Sequence, residues 1–254
     1  TRLDTYGCGC QHDCSYCYAK GLLSFRKLWN AEEPSIADIN KIERKLKRIP
    51  AGTILRLGGM TDCFQPLEKT EKVTYRTIEL LNKFGIGYLI VTKSAMVADP
   101  EYLELYDPKL AHIQVTVTTL DDKLCATYEK ASPPSERIRA IKQLKDRGID
   151  VAIRLSPLIE EYMDFDLLNS YGIEKGVVEF LRVNSWIEKW FELDYSRYTE
   201  KQGSYRFLPL EEKQRVLDKV QIPEITVCED FKPHYDYWKE HFNPNKEDCC
   251  NLRT

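Results

Sequence analysis

Between Ile36 and Cys228 the chain alternates short apolar runs with amphipathic stretches, and this alternation limits the fold more than any other feature. Ile54–Leu57 reads as a strand stopped by Gly58 and Gly59. Over 72–84, Val73, Thr77, Leu81 and Phe84 fall on one helical face, and Gly85 supplies the C-terminal stop. Residues 88–91 and 112–118 read as further strands, the second rich in β-branched side chains. A helix is predicted over 134–147, with Ile138, Ile141 and Leu144 inward and Gly148 ending it. Strands over 151–155, 177–181 and 225–227 and a helix over 210–220 complete the pattern. Strands and helices alternating at this spacing predict a parallel sheet. Both an open doubly wound sheet and a full or partial (β/α) barrel satisfy it. The segment 194–207, Tyr-rich, polar and aperiodic, reads as a long loop.

No sequence repeat or low-complexity linker divides the 254 residues, so one domain is the simpler reading. With 43% hydrophobic and 30% charged residues, disorder and coiled coil are poor explanations. No run of about 18 apolar residues is present, which argues against a membrane span. The net charge of -3 is not that of a strongly basic nucleic-acid binder, although a local basic face stays open. No secretory signal is visible, and because the first residue is Thr1 a targeting segment ahead of it stays open.

Nine cysteines sit at 8, 10, 14, 17, 63, 125, 228, 249 and 250. An odd, clustered set argues against a disulfide framework and for metal ligation in a reducing compartment, so a cytoplasmic location is expected. Cys10-x3-Cys14-x2-Cys17 can hold three irons of a [4Fe–4S] cube and leave one open to an outside ligand. The alternative is a structural zinc site with Cys8 as fourth ligand, although the two separated CxxC pairs usual for zinc are absent.

The spacing, with Tyr16 before the last cysteine, resembles the radical S-adenosylmethionine (SAM) superfamily. Thr61-Asp62-Cys63-Phe64-Gln65-Pro66-Leu67-Glu68, Thr92-Lys93-Ser94 and Thr116 through Asp121 are similar to the branch containing spore photoproduct lyase. Pro133 through Arg137 and Ser156-Pro157-Leu158-Ile159 continue that likeness. It implies a partial (β/α)6 barrel over 1–228, with a cysteine-containing tail over 229–254 packed on it. It also implies a [4Fe–4S] cluster on Cys10, Cys14 and Cys17, with SAM bound to the open iron. SAM would be cleaved to methionine and a 5′-deoxyadenosyl radical that takes hydrogen from an organic substrate, a small molecule or a nucleic acid. The electron would come from a donor such as flavodoxin or ferredoxin. Tyr16 would lie near the adenine, Asp62 beside Thr61 would receive the SAM ammonium, and Lys93, with Ser94, its carboxylate. Thr116 matches a family hydroxyl. Arg154 has the opposite strand parity to Ile153 and Leu155, so it is either a second carboxylate partner or an outward charge.

Two departures stand out. Spore photoproduct lyase carries a hydrogen-donating cysteine ahead of its Ser/Thr-Asp pair, where this chain has Gly58-Gly59-Met60 and places Cys63 after the pair. Cys228, Cys249 and Cys250 are more thiols than that chemistry needs. They are open to an auxiliary iron–sulfur cluster, a zinc site or a redox role. Cys63 and Cys228 are the candidate hydrogen donors. A peptide- or protein-modifying enzyme and a zinc-stabilised binding module are the competing functional readings.

Overall fold

The computed structural model describes residues 2–244 and 248–252. Strands β1 (Arg2–Leu3) and β2 (Tyr6–Gly7) lead through the cysteine loop to α1 (Tyr18–Phe25), β3 (Ser35–Ile36) and α2 (Ile39–Leu46). The repeating part runs β4 (Ile54–Leu57), α3 (Glu68–Glu71), α4 (Val73–Phe84), β5 (Gly87–Thr92), α5 (Pro100–Leu105), β6 (Ala111–Thr116) and α6 (Asp122–Ala126). It continues with α7 (Pro134–Asp146), β7 (Asp150–Leu158), α8 (Phe165–Ser170) and β8 (Lys175–Phe180). After α9 (Ser185–Trp190) come β9 (Glu200–Gln202), β10 (Tyr205–Phe207), α10 (Leu210–Leu217), β11 (Glu224–Val227) and α11 (Lys232–His241).

Seven strands form one parallel sheet in the order β1-β4-β5-β6-β7-β8-β11. The order follows the chain and lacks the reversal of a doubly wound sheet. The fold is therefore α/β, a partial (β/α) barrel with β1 and β11 at its edges. Period-2 alternation divides its two faces. Leu55 and Leu57 of β4 lie wholly buried in a core shared with Ile42, Leu46, Ile78 and Leu81 from α2 and α4. The opposite parity carries Arg56, Gln114, Thr116, Arg154, Ser156 and Glu179, which turn into the barrel.

Gly85 ends α4 in the left-handed conformation, as its position after Phe84 predicts. The helix expected from residue 72 starts instead at Val73, because Lys72 is itself left-handed (φ 52°) and closes α3. The expected loop over 194–207 contains a hairpin, Tyr205 pairing with Gln202 and Phe207 with Glu200. Its strands are too short and polar to show an alternation; the pairing of Arg206 with Val183 pins it. Among the described residues no helix is long and apolar enough to cross a membrane.

The tail is fastened to the last strand. Asn243 bonds both the N–H and the C=O of Val227 (2.8 and 3.0 Å). Residues 248–252 then cross the barrel interior: Thr226 donates to the Cys249 carbonyl (3.0 Å), Gln114 to that of Cys250 (2.5 Å), and Asn251 to those of Gly176 and Glu224.

The cysteine loop is tied to the segment 128–130 after α6. Ser15 N–H donates to the Tyr128 carbonyl (2.9 Å) and Lys130 N–H to that of His12 (2.7 Å). Between these bonds Glu129, fully buried with Arg137, accepts hydrogen bonds from Tyr16, Arg137 and Thr118. Burial alone would raise the Glu129 carboxyl pKa. The charges of Arg137 and Lys93 and the Tyr16 hydroxyl outweigh it and lower the pKa from 4.5 to about 2. Glu129→Gln leaves Arg137 buried without a counter-charge and should cost about 3–5 kcal/mol in urea unfolding of the metal-free protein. Because the folded pKa is the lower one, this stabilisation is complete above the unfolded value of 4.5 and is lost as pH falls through about 2. Wild-type stability should fall over that interval and the Glu129→Gln profile should be flatter. Parallel acid profiles would refute the assignment.

Candidate active site

The loop before α1 is bent by two non-glycine residues at positive φ, Cys8 (55°) and Asp13 (42°). Gly9 is required between them, since a Cβ there would sit 1.7 Å from the Asn30 carbonyl oxygen. Turns from Asp13 N–H to the Cys10 carbonyl (3.1 Å) and from Cys17 N–H to that of Cys14 (3.2 Å) wind the motif tightly. Lys20 and Lys130 hold the Asp13 carboxylate at 2.7 and 3.1 Å. The outcome is that Cys10, Cys14 and Cys17 all line one cavity at the C-terminal ends of the strands. Cys8 is exposed and outside that lining.

The opposite wall is made by residues that leave the strands. Gly58 turns with φ 74°, and a Cβ there would meet the Thr61 carbonyl oxygen at 2.6 Å. This brings Thr61 and Asp62 to the cavity, Thr61 donating from its hydroxyl to the Tyr6 carbonyl (2.6 Å). Asp62 is already engaged by the protein. It accepts from Phe64 N–H (2.8 Å), the Thr92 hydroxyl (2.8 Å) and Lys93 N–H (2.7 Å), and lies 3.2 Å from His12 Nε2. Burial works against its charged form, but the His12 contact and these N–H donors hold its pKa down at about 2. Lys93 lines the same wall with its ammonium 5.5 Å from the Tyr16 ring centroid, and makes no ion pair or side-chain hydrogen bond among the described residues.

Tyr16 and Thr116 also line the cavity, Tyr16 with its hydroxyl turned back to Glu129. Arg154 faces the interior and is 3% exposed, which settles its strand parity. Its guanidinium is committed to Gln114 (2.8 Å) and Glu179 (2.7 Å).

Three expected site residues lie elsewhere. Cys63 is 1% exposed in the hydrophobic core, outside the cavity lining, because the chain turns away after Asp62 and the Cys63 carbonyl accepts from Thr74. Ser94 caps the short turn Ala95–Ala98, its hydroxyl accepting from Met96 N–H, and is likewise outside the cavity. Cys228, at the end of β11, is outside it too and lies 3.8 Å, sulfur to sulfur, from Cys249. The hydrogen bond with Cys249 and the charge of Arg154 lower the Cys228 pKa against the effect of burial.

His12, Arg56, Glu179 and Arg182 line the cavity without having been singled out from the sequence. Glu179 breaks the apolar run of β8 as Arg154 breaks that of β7, and this shared interruption is the signal that pairs them.

The donor set fits an iron–sulfur cube. Burial pushes the Cys14 thiol up and the Cys10 thiol up to about 12, so without metal both are neutral. The backbone N–H groups of Asp62 and His12 already point at the Cys10 sulfur, where they favour a thiolate. Among the described residues no three His, Cys, Asp or Glu side chains converge on a point that one ion could occupy. A cube spreads its ligands over separate irons and needs no such convergence.

Comparison with known proteins agrees with this architecture. The model of the Radical SAM superfamily matches residues 5–169. An uncharacterized protein of Methanocaldococcus jannaschii, MJ0683, is 27% identical over 168 residues, 63% of this chain and 61% of that relative. Spore photoproduct lyase, in a double-variant structure with bound AdoMet and dinucleoside spore photoproduct, superposes with a TM-score of 0.69 at 15% identity, over 89% of this chain and 75% of that one. SuiB of Streptococcus suis bound to its precursor peptide SuiA gives 0.61 at 14% identity, over 93% and 50%. At such identities the likeness to solved structures is one of fold. The family match spans more than half of the sequence and contains the three-cysteine loop and the C-terminal ends of β4, β5, β6 and β7 that line the same cavity: this chain belongs to the radical SAM superfamily.

Proposed function

We propose that this protein is a radical SAM enzyme whose cluster is held by Cys10, Cys14 and Cys17 and whose substrate enters the barrel beside SAM. The observation that carries the reading is the convergence of three free thiols and the unpaired Lys93 on one cavity at the strand ends. The cluster and SAM, when bound, supply reductive cleavage of the sulfonium to methionine and a 5′-deoxyadenosyl radical. The protein's own residues bind and orient. Lys93 is the cation available for the SAM carboxylate. Asp62, with Thr61 beside it, gives the cavity wall a fixed negative charge facing the ammonium. Through its bonds to Thr92 and Lys93 it also fixes the backbone that carries Lys93. Tyr16, held by Glu129, and Thr116 offer a ring and a hydroxyl for the adenosine part.

Arg154, already committed to Glu179, is read as part of the wall rather than as a carboxylate partner. Cys63, in the core, is dropped as hydrogen donor.

Replacing Cys10, Cys14 and Cys17 together by Ala should remove about four irons per chain, the brown absorbance and SAM cleavage. A triple variant that still binds iron and responds to SAM would defeat the assignment. Lys93→Ala should weaken SAM binding to the reconstituted protein roughly tenfold or more, the equivalent of about 1.4 kcal/mol. Asp62→Asn should lower SAM affinity and cluster loading together, since His12 beside it sits inside the cysteine motif. Calorimetric titration and iron analysis of the two variants separate these effects, and unchanged values in both would leave Lys93 and Asp62 without a role in the site.

A further inference from the structure

Arg56 is the second interior position of β4, flanked by Leu55 and Leu57, which face the outer core. It lines the cavity, its Nε is buried without a hydrogen-bond partner, and its guanidinium makes no hydrogen bond or ion pair among the described residues. The other cavity cations differ. Arg154 is paired with Glu179, Arg182 with Asp230, and Lys93 stands just beyond the end of the neighbouring strand β5, over the Tyr16 ring. The cavity carboxylates are likewise taken, Asp62 beside His12 and Glu179 by Arg154 and Ser156. Among the described residues, the one titratable neighbour that responds to Arg56 is the Cys250 thiol, whose pKa is lowered by its hydrogen bond with Cys249 and by the charges of Arg154 and Arg56, so Arg56 shares that group with Arg154 and makes no hydrogen bond to it.

A partly buried guanidinium that the fold leaves unpaired costs stability. Its five donors form a planar fork suited to an oxyanion. We infer that Arg56 forms an oxyanion subsite, distinct from the SAM pocket, that anchors a phosphate or carboxylate group of the substrate inside the barrel. The subsite rests on the reading of this cavity as the substrate chamber. It narrows the substrate to an anionic molecule whose charged group reaches past the radical centre to the β4 wall.

The test uses reconstituted protein saturated with SAM and titrated calorimetrically with inorganic phosphate and, separately, with acetate. One of the two anions should bind, and Arg56→Gln should weaken that binding tenfold or more while SAM affinity stays within about twofold. Preference for phosphate assigns a phosphate ester as the substrate's anion, and preference for acetate a carboxylate. Because Arg56 makes no hydrogen bond or ion pair among the described residues, the Arg56→Gln protein without ligand should melt at the wild-type temperature or above it. The inference is overturned by binding of neither anion, by equal binding to wild type and variant, or by a tenfold loss of SAM affinity in the variant. It is also overturned by a melting temperature several degrees lower, which would make Arg56 a structural partner. Should the protein take up neither cluster nor SAM, the functional reading fails by itself. The same titration without SAM, comparing Arg56→Gln with Lys93→Ala, still decides the subsite: the anion must depend on Arg56 more than on Lys93.

Discussion

The buried pair of Glu129 and Arg137 is the constraint on which the site depends. A loop of ten residues with two left-handed turns has little reason to hold one shape by itself, and it buries few apolar side chains of its own. Its position is set from outside by the two backbone bonds to residues 128–130 and by the Tyr16 hydroxyl on Glu129. Each neutral hydrogen bond contributes about 1 kcal/mol, too little to hold the loop alone. A charge-assisted network centred on a desolvated carboxylate is stronger, and breaking it strands Arg137 in the core. The same carboxylate receives Thr118, just beyond β6, and Arg137, from α7, so the cysteine motif is registered against two layers of the barrel at once.

A second tension runs through the interior. The outer face of the strands follows the ordinary logic of burial, with Leu55, Leu57, Ile90, Ile113 and Leu155 almost inaccessible. The inner face carries arginine, glutamate and glutamine, which an unoccupied apolar barrel would not tolerate. Most of these groups satisfy each other, as Arg154 does with Gln114 and Glu179. The tail contributes the rest by offering backbone carbonyls to Gln114 and Thr226. It acts as a polar floor laid into the barrel, and its thiols come with it.

The parallel α/β pattern was legible because β-branched runs and glycine stops recur along the chain; the choice of a barrel came from the family resemblance, and the neighbours of Arg154 showed that it faces opposite to Ile153 and Leu155 but not which of the two faces is the interior. That Cys10, Cys14, Cys17 and Lys93 line one cavity was legible from the family resemblance of the motifs that carry them, since strand-end position alone left Lys93 open to solvent. What was not legible depends on where the chain turns. Cys63 and Ser94 lie one residue after the residues that do reach the cavity, and a change of one position at a strand end reverses the face. Asp62 was read as the receiver of the SAM ammonium, and its partners within the protein, His12, Thr92 and Lys93, were not legible because they lie about fifty and thirty residues away in sequence. Glu129 and Arg56 carried no motif at all. Their importance comes from what surrounds them, a full set of partners in one case and none in the other.

That contrast gives the cavity its selectivity. A wall on which every charge is neutralised internally has shape but no electrostatic preference, because its charges interact with each other more strongly than with any ligand. Glu179, Arg154 and Arg182 belong to that wall, and altering them should disturb the fold before it disturbs binding. Lys93 and Arg56 are the cavity-lining cations that make no ion pair or side-chain hydrogen bond among the described residues. They stand on neighbouring strands, β5 and β4, Lys93 just beyond the end of its strand and Arg56 one residue short of the end of its own. Two positive charges without an ion-pair partner, at different depths of one chamber, favour two anionic groups held apart. On the proposed reading the carboxylate of SAM meets one of them, and the charge at Arg56 is left for the molecule that shares the chamber.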